Sequence, residues 1–453
     1  MIQLRNGLAI LGAGALVLWQ CAAGPAVAAV VGVTGPTFNL TAKADYISTG
    51  DGNSVLTWSY ANGDGIMQYP GPNLIVNQGD LVTINLTNNL PAVNATPVNT
   101  SMVFPGQTGV GTNCPAAGTT PGLMTCEALP GGTVTYTFVA TQPGTYLYHS
   151  GTQPTLQVEM GMVGALVVRP TGYDAATNKI AYSGSGSTYD REYLLLLTEM
   201  DPKIHNEVER GNLTPDMTNY FSVQWFINGR NGLDTLFEDN RPELPNQPYG
   251  SLVQAHPGEK VLLRLVSAGR DLHPFHTHGN NVTVIARDGH LLESVPGSSG
   301  PDLAWSDFTI KAVPGATYDA LFDWTGKHLG WDIYGSDPAT HEHFCNGKAI
   351  GQAQDIGAPE FDPITKEWCA DHGKALPVTL PTLQDVTVGM AYSGSPYLGA
   401  MGALPPGEGG FNPSAGYFYM WHSHTEKELT NNDIFPGGMM TMLVIVPRSY
   451  PLP

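Results

Sequence analysis

Charge is scarce in this chain. Only 13% of its 453 residues are charged, with 20 Lys and Arg against 39 Asp and Glu, for a formal net charge of -19. Basic clusters of the kind that grip a phosphate backbone are missing, which argues against a nucleic-acid partner. Cysteine is also sparse, at 5 residues, and none flanks the His273–His278 or His422–His424 cluster described below, so a thiolate-held metal is excluded there. Beyond the N-terminus no apolar run is long enough to cross a bilayer. Long stretches of helical period are lacking too, which sets aside coiled coils. In their place stand 54 Gly and 36 Pro, the composition of short strands joined by many turns.

The N-terminus carries a secretory pattern. Arg5 supplies positive charge, Leu8 to Trp19 is apolar, and Ala26-Val27-Ala28 offers a small-residue cleavage site. An apolar run of about 12 residues is too short for a membrane span. Residues 1–28 are therefore expected to be a cleaved signal peptide, and the mature protein secreted or periplasmic. Four cysteines remain after cleavage: Cys114, Cys126, Cys345 and Cys369. An even set in an exported chain suggests disulfides. Three connectivities are open, of which Cys114–Cys126 with Cys345–Cys369 closes the shortest loops.

The chain repeats itself. Asn77-Gln78-Gly79-Asp80-Leu81-Val82-Thr83-Ile84 resembles His256-Pro257-Gly258-Glu259-Lys260-Val261-Leu262-Leu263. Pro130 to Phe138 matches Pro314 to Phe322, Tyr146 to Ser150 matches Tyr419 to Ser423, and Met162 to Val168 matches Met439 to Ile445. The offset is nearly constant up to Phe322 and then widens, which places about 90 extra residues in the second copy. The expected layout is all-β: a first domain over 30–170, a Gly/Ser/Asp-rich linker over 171–190, and a second domain over 191–453 with a disulfide-pinned insertion at about 325–416. Short alternating strands with frequent turns point to Greek-key sandwiches or barrels.

Two histidine clusters carry the chemistry. One is His273-Pro274-Phe275-His276-Thr277-His278-Gly279 and the other Trp421-His422-Ser423-His424. Residues two apart on a strand share a face, so each His-x-His pair can aim two imidazoles at one point. Neutral imidazole is a borderline ligand that suits copper or zinc. Neighbouring strands would bring all four rings together. A further cluster, His341-Glu342-His343, sits in the insertion and reads more simply as a solvated loop. Glu159-Met160-Gly161-Met162 reads as a strand start with core-packing methionines.

These histidine motifs, the paired domains and the terminal Gly-Met strand resemble the multicopper oxidase family of cupredoxin-fold proteins, over nearly the whole mature chain except the insertion. The resemblance implies two cupredoxin-like β-sandwich domains and copper as cofactor. Family members carry four His-x-His motifs whose histidines hold a copper cluster that reduces dioxygen. A separate blue copper on the cysteine of H-C-H accepts electrons from the substrate. Here His276, His278, His422 and His424 match the cluster ligands of the last domain. In the first domain Val103 and Pro105 stand in place of two histidines, and Gly151 in place of a third. His149 is kept, either as a fifth ligand or as a hydrogen-bonding remainder.

The blue-copper position is also broken. Ser423 replaces the cysteine, and Ser150 occupies the equivalent place in the first domain. His273 and Met439 or Met440 match surrounding ligands, but no second histidine lies between Thr425 and Phe435. A hydroxyl cannot supply the soft thiolate such a site uses. The preferred reading is an exported oxidoreductase with a histidine-only copper centre, taking electrons directly from a small-molecule or metal-ion reductant. The competing reading is a non-catalytic copper-binding or structural protein on the same fold. Two-domain relatives place the site between neighbouring subunits, which implies a homotrimer.

Overall fold

An alternating strand has one apolar face to bury, and two such sheets face to face bury both. The computed structural model describes residues 29–184, 186–278, 281–327, 344–345, 348–349, 361–371, 417–446, 448 and 450–452. It contains two β-sandwiches. In the first, a six-stranded sheet runs in the order Met67–Gln68, Ser54–Asn62, Thr37–Ser48, Leu81–Asn88, Thr133–Val139, Gly111–Thr112. It faces a four-stranded sheet of Val33–Thr34, Leu74–Asn77, Val163–Arg169 and Gly144–His149. In Leu81–Asn88 the alternate residues Val82, Ile84 and Leu86 point inward, where they meet Phe38, Trp58, Tyr136 and Phe138.

The second sandwich repeats this plan. Its larger sheet orders Gln224–Ile227, Arg191–Met200, Lys260–Ser267, Thr317–Asp323 and Val282–Arg287, with short strands at the far edge. Its smaller sheet orders Val253–Ala255, Met440–Ile445, Tyr417–Ser423, His273–Thr277 and Thr309–Ala312. The duplication extends to pairing sense. Leu74–Asn77 runs parallel to Val163–Arg169, which runs antiparallel to Gly144–His149. Val253–Ala255, Met440–Ile445 and Tyr417–Ser423 do the same.

The two sandwiches share a third core. Val163, Ala165 and Val167 face away from the first domain's interior and pack against Leu194, Leu196, Phe226 and Val266 of the second. That explains why Val163–Arg169 and Arg191–Met200 are apolar on both faces: each lies between two cores. At the edge of this interface sits a buried ionic network. Glu192 takes hydrogen bonds from both Arg169, whose Nη1 also reaches Tyr189, and Arg264. Arg264 donates to Thr145 across the domain boundary, and Thr145 in turn donates to Asp319.

The stretch 171–190 is packed: Ala181, Tyr182 and Tyr189 are buried against Leu262 and Ile285. Cys114 and Cys126 form a disulfide, as expected. Cys369 is also disulfide-bonded; the side chain of Cys345, its expected partner, lies outside the described residues, as do residues 1–28, most of the insertion and the His341–His343 cluster. The run Glu159–Met162 is the turn before a strand rather than its start, because Gly161 takes a φ of 110° and pairing begins only at Val163. Met160 and Met162 fill the first core. Among the described residues no helix is long and apolar enough to cross a membrane.

Candidate metal centre

Register brings the histidine pairs together. His273–Thr277 and Tyr417–Ser423 are antiparallel neighbours, and His276 lies directly opposite His422. The imidazoles of His276, His278, His422 and His424 therefore meet on one face of the smaller sheet. Ring centroids are 4.7 Å apart for His276–His278, 4.8 Å for His276–His424 and 5.0 Å for His278–His422. The cluster opens outward: His424 is exposed and His276 half-buried, whereas His278 and His422 are buried. Exposed Phe308 stacks edge-on against His276 at 5.5 Å.

The rings are held in a ligand-ready protonation state. Burial, then the neighbouring imidazoles, push His278 down to about 3. Burial also takes His422 down to about 4, against the opposing effect of its hydrogen bond to Ser423. Burial and His424 lower His276. These three are neutral near pH 7, the form that binds metal. Nδ1 of His422 donates to its neighbour's carbonyl, Ser423 O, at 2.6 Å, and Nδ1 of His276 bonds Thr309 Oγ1 at 2.7 Å. Both leave Nε2 for other work.

Nε2 of His278 and Nε2 of His422 stand 2.9 Å apart. Two nitrogens sharing an ion at about 2.0 Å would be spaced much like this. Among the described residues no three donors yet enclose one ion; the rings pack on one another instead. The donor set nevertheless fits copper, since neutral borderline nitrogens converge with no competing thiolate.

His149 stands apart from these four, joining none of their ring contacts or hydrogen bonds. Its surroundings show what became of the first-domain half. Nδ1 of His149 bonds Ser150 O at 2.9 Å, just as His422 bonds Ser423 O. Val103 bridges His149 as His276 pairs with His422, so Val103 occupies the place of His276. Gly151 occupies the place of His424, and a Cβ there would meet Val103 Cγ1 at 2.8 Å, Ser101 Oγ at 3.1 Å and Thr125 Cγ2 at 3.2 Å. In this half three of the four family histidines are replaced, and the space a side chain at Gly151 would need is filled by Val103, Ser101 and Thr125.

The same equivalences locate both vestigial blue-copper positions. Ser150 N donates to Met162 O and Ser423 N to Met439 O, each at 3.0 Å. Met162 N donates to Gln157 O at 2.9 Å and Met439 N to Glu428 O at 2.7 Å. Met439 is thus the internal counterpart of Met162, and Glu428 that of Gln157, within the Thr425–Phe435 stretch that lacks a histidine. In the first domain Thr100 and Ser150 both donate to the Gln157 carboxamide oxygen, at 2.9 and 2.6 Å.

In the second domain His273 is fully buried between two carboxyl groups. Its Nε2 lies 2.9 Å from Glu199 and its Nδ1 2.8 Å from Glu428. Burial alone would lower its pKa, but the hydrogen bonds with Glu199 and Glu428 outweigh it and lift the group to about 9. His273 is therefore a buried imidazolium donating at both ends. The sequence places His273 at a family ligand position and gives no direct sign of Glu199 or Glu428 beside it. The available signal was negative: a family ligand absent from a stretch that holds an acidic residue.

The known proteins that this chain is similar to include copper oxidases. Residues 52–172 match a family model described as multicopper oxidase. The chain is 39% identical to multicopper oxidase MCE of Talaromyces pinophilus over 125 residues, which is 25% of this chain and 19% of that protein. It is 30% identical to the iron transport multicopper oxidase FET3 of Saccharomyces cerevisiae over 247 residues, 52% of this chain and 33% of the other. The chain thus spans about a third or less of the length of these two relatives. In fold it is similar to a blue copper oxidase from Nitrosomonas europaea, with a TM-score of 0.52 at 18% identity, covering 90% of this chain and 85% of that one. Residues 52–172 thus match the multicopper oxidase type, the relatives that the chain resembles are copper-using multicopper oxidases, and its fold is a pair of cupredoxin-like β-sandwiches.

Proposed function

We propose that this protein is exported, binds copper through His276, His278, His422 and His424, and acts as an oxidoreductase without a blue-copper relay. The observation that carries this reading is the convergence of four imidazoles at an open face of the sheet, with His424 exposed. Bound copper would supply one-electron chemistry between a reductant and dioxygen. The chain's own part is to hold neutral imidazoles in place and leave the face accessible to a small-molecule or metal-ion reductant. Export is supported by the N-terminal pattern and by the Cys114–Cys126 disulfide, which needs an oxidising compartment to persist.

The test is dioxygen uptake by copper-loaded protein given ascorbate or ferrous ion. Turnover that vanishes in the His276→Ala, His422→Ala double variant supports the reading. Bound copper with no uptake above that variant supports the competing one, a non-catalytic copper-binding protein, which the serines at 150 and 423 favour.

A homotrimer is part of the proposal. His149 shares no ring contact or hydrogen bond with the four histidines of its own chain, and in two-domain relatives the site is shared between a first domain and a neighbour's last domain. A heterologous interface of that kind closes into a ring. Light scattering at micromolar concentration is expected to give a trimer, and a monomer would reject this part.

A further inference from the structure

Each strand that delivers imidazoles is tied at one end to the same buried histidine. His273 opens His273–Thr277, which carries His276 and leads to His278. Glu428 lies in the 3-10 turn Glu426–Leu429, just after the strand that carries His422. Glu199 comes from Arg191–Met200 in the opposite sheet. Side-chain exposure is 0% for His273 and Glu199 and 6% for Glu428.

Both carboxylates are themselves fixed. Glu199 accepts the backbone N–H of Arg270 and, at 2.9 Å, of Asp271, so it also holds the turn that enters the histidine strand. A Cβ at Gly269 would sit 1.8 Å from Glu199 Oε2, so that turn and the carboxylate fit without slack. The backbone of Glu428 bonds Thr425 on one side and Met439 on the other, each through one N–H···O contact.

We propose that Glu199–His273–Glu428 is a positioning clamp that fixes the two histidine strands relative to each other, so that the four imidazoles converge before any metal arrives. The proposal rests on reading the cluster as the copper site. Its physical basis is that a buried ion group adds little stability over an apolar core of equal volume, while its directional bonds define one geometry. None of the three residues need touch copper; they act through the strands that carry His276 and His422.

The experiment uses the full-length protein. Cupric affinity is measured by competition with a chelator, together with the paramagnetic resonance spectrum and the melting temperature. His273→Ala is expected to weaken copper binding by about 10- to 100-fold, the usual cost of losing a residue that orients ligands. Its spectrum should broaden into several copper species. Glu428→Leu should behave alike and serves if His273→Ala does not fold. Glu428→Gln keeps an oxygen to accept the Nδ1 hydrogen and should restore the single-species spectrum. Arg191→Met, which breaks the remote ion pair with Glu259, should lower the melting temperature without changing affinity or spectrum.

Wild-type affinity and spectrum in both His273→Ala and Glu428→Leu would overturn the clamp while leaving the copper reading intact. An equal affinity loss in Arg191→Met would also overturn it. A His276→Ala, His422→Ala double variant that binds copper as tightly as the wild type would overturn the copper reading and the clamp together.

Discussion

Replacing His276 and His422 together by Ala is expected to strip the protein of nearly all bound copper while both β-sandwiches stay folded. The two residues face each other across one register position, so the double change removes one imidazole from each pair and leaves His278 and His424 to bind alone. Chelation by converging neutral rings is what makes the site, and half a site loses most of it. The fold should persist because its cores are built from residues such as Phe275, Tyr419 and Trp421 on the inward face of the same strands. His149→Ala should cost little copper in comparison. Metal content per chain after dialysis, alongside circular dichroism, reads both effects. Unchanged stoichiometry in the double variant would move the site elsewhere.

The second large effect concerns the domain interface. Glu192→Leu should destabilise the protein by about 3–5 kcal/mol, the cost of leaving a buried charge without its partner. Glu192 is 2% exposed and holds two guanidinium groups, of which Arg264 is 0% exposed. Asp319, at 3.6 Å from Arg264, softens the loss without replacing the direct bonds. Copper stoichiometry should not change, since none of these groups belongs to the histidine cluster.

The same carboxylate makes the wild type acid-labile in a defined window. Burial works to raise its pKa, but Arg264 and then Arg169 outweigh that and hold it down at about 2. A carboxyl group depressed in the folded state stabilises above its unfolded pKa, about 4.3. That contribution is lost as pH falls from there through about 2. Denaturant midpoints measured along this range should fall, and the Glu192→Leu variant should show a flatter dependence. Equal slopes in the two proteins would contradict the assignment.

The sequence made strand-borne features legible, and features assembled from distant single residues much less so. The alternation in Leu81–Asn88 and the His-x-His spacing both express the two-residue period of a strand, so the sandwich and the four-histidine face could be read directly. The resemblance to the family motifs marks Val103, Pro105, Gly151 and Ser423 as losses. It could not show that Val103 and Thr125 crowd Gly151, because these residues lie 48 and 26 positions away and no spacing rule links them.

The Glu199–His273–Glu428 group was illegible for a related reason. Its carboxylates are lone acidic residues 74 and 155 positions from His273, and no spacing rule links them. The interface network left a fainter trace. Arg264 interrupts the run Leu262-Leu263-Arg264-Leu265-Val266, and an arginine inside a doubly apolar strand must find buried acidic partners.

X-ray absorption of the copper-loaded wild type tests the central claim most directly. Copper is expected to be surrounded by nitrogen donors with imidazole scattering, with no short copper–sulfur contact and no intense thiolate charge-transfer band in the visible spectrum. A short copper–sulfur bond, or copper retained with the same coordination after His276 and His422 are both changed to Ala, would contradict a histidine-only centre on the second domain.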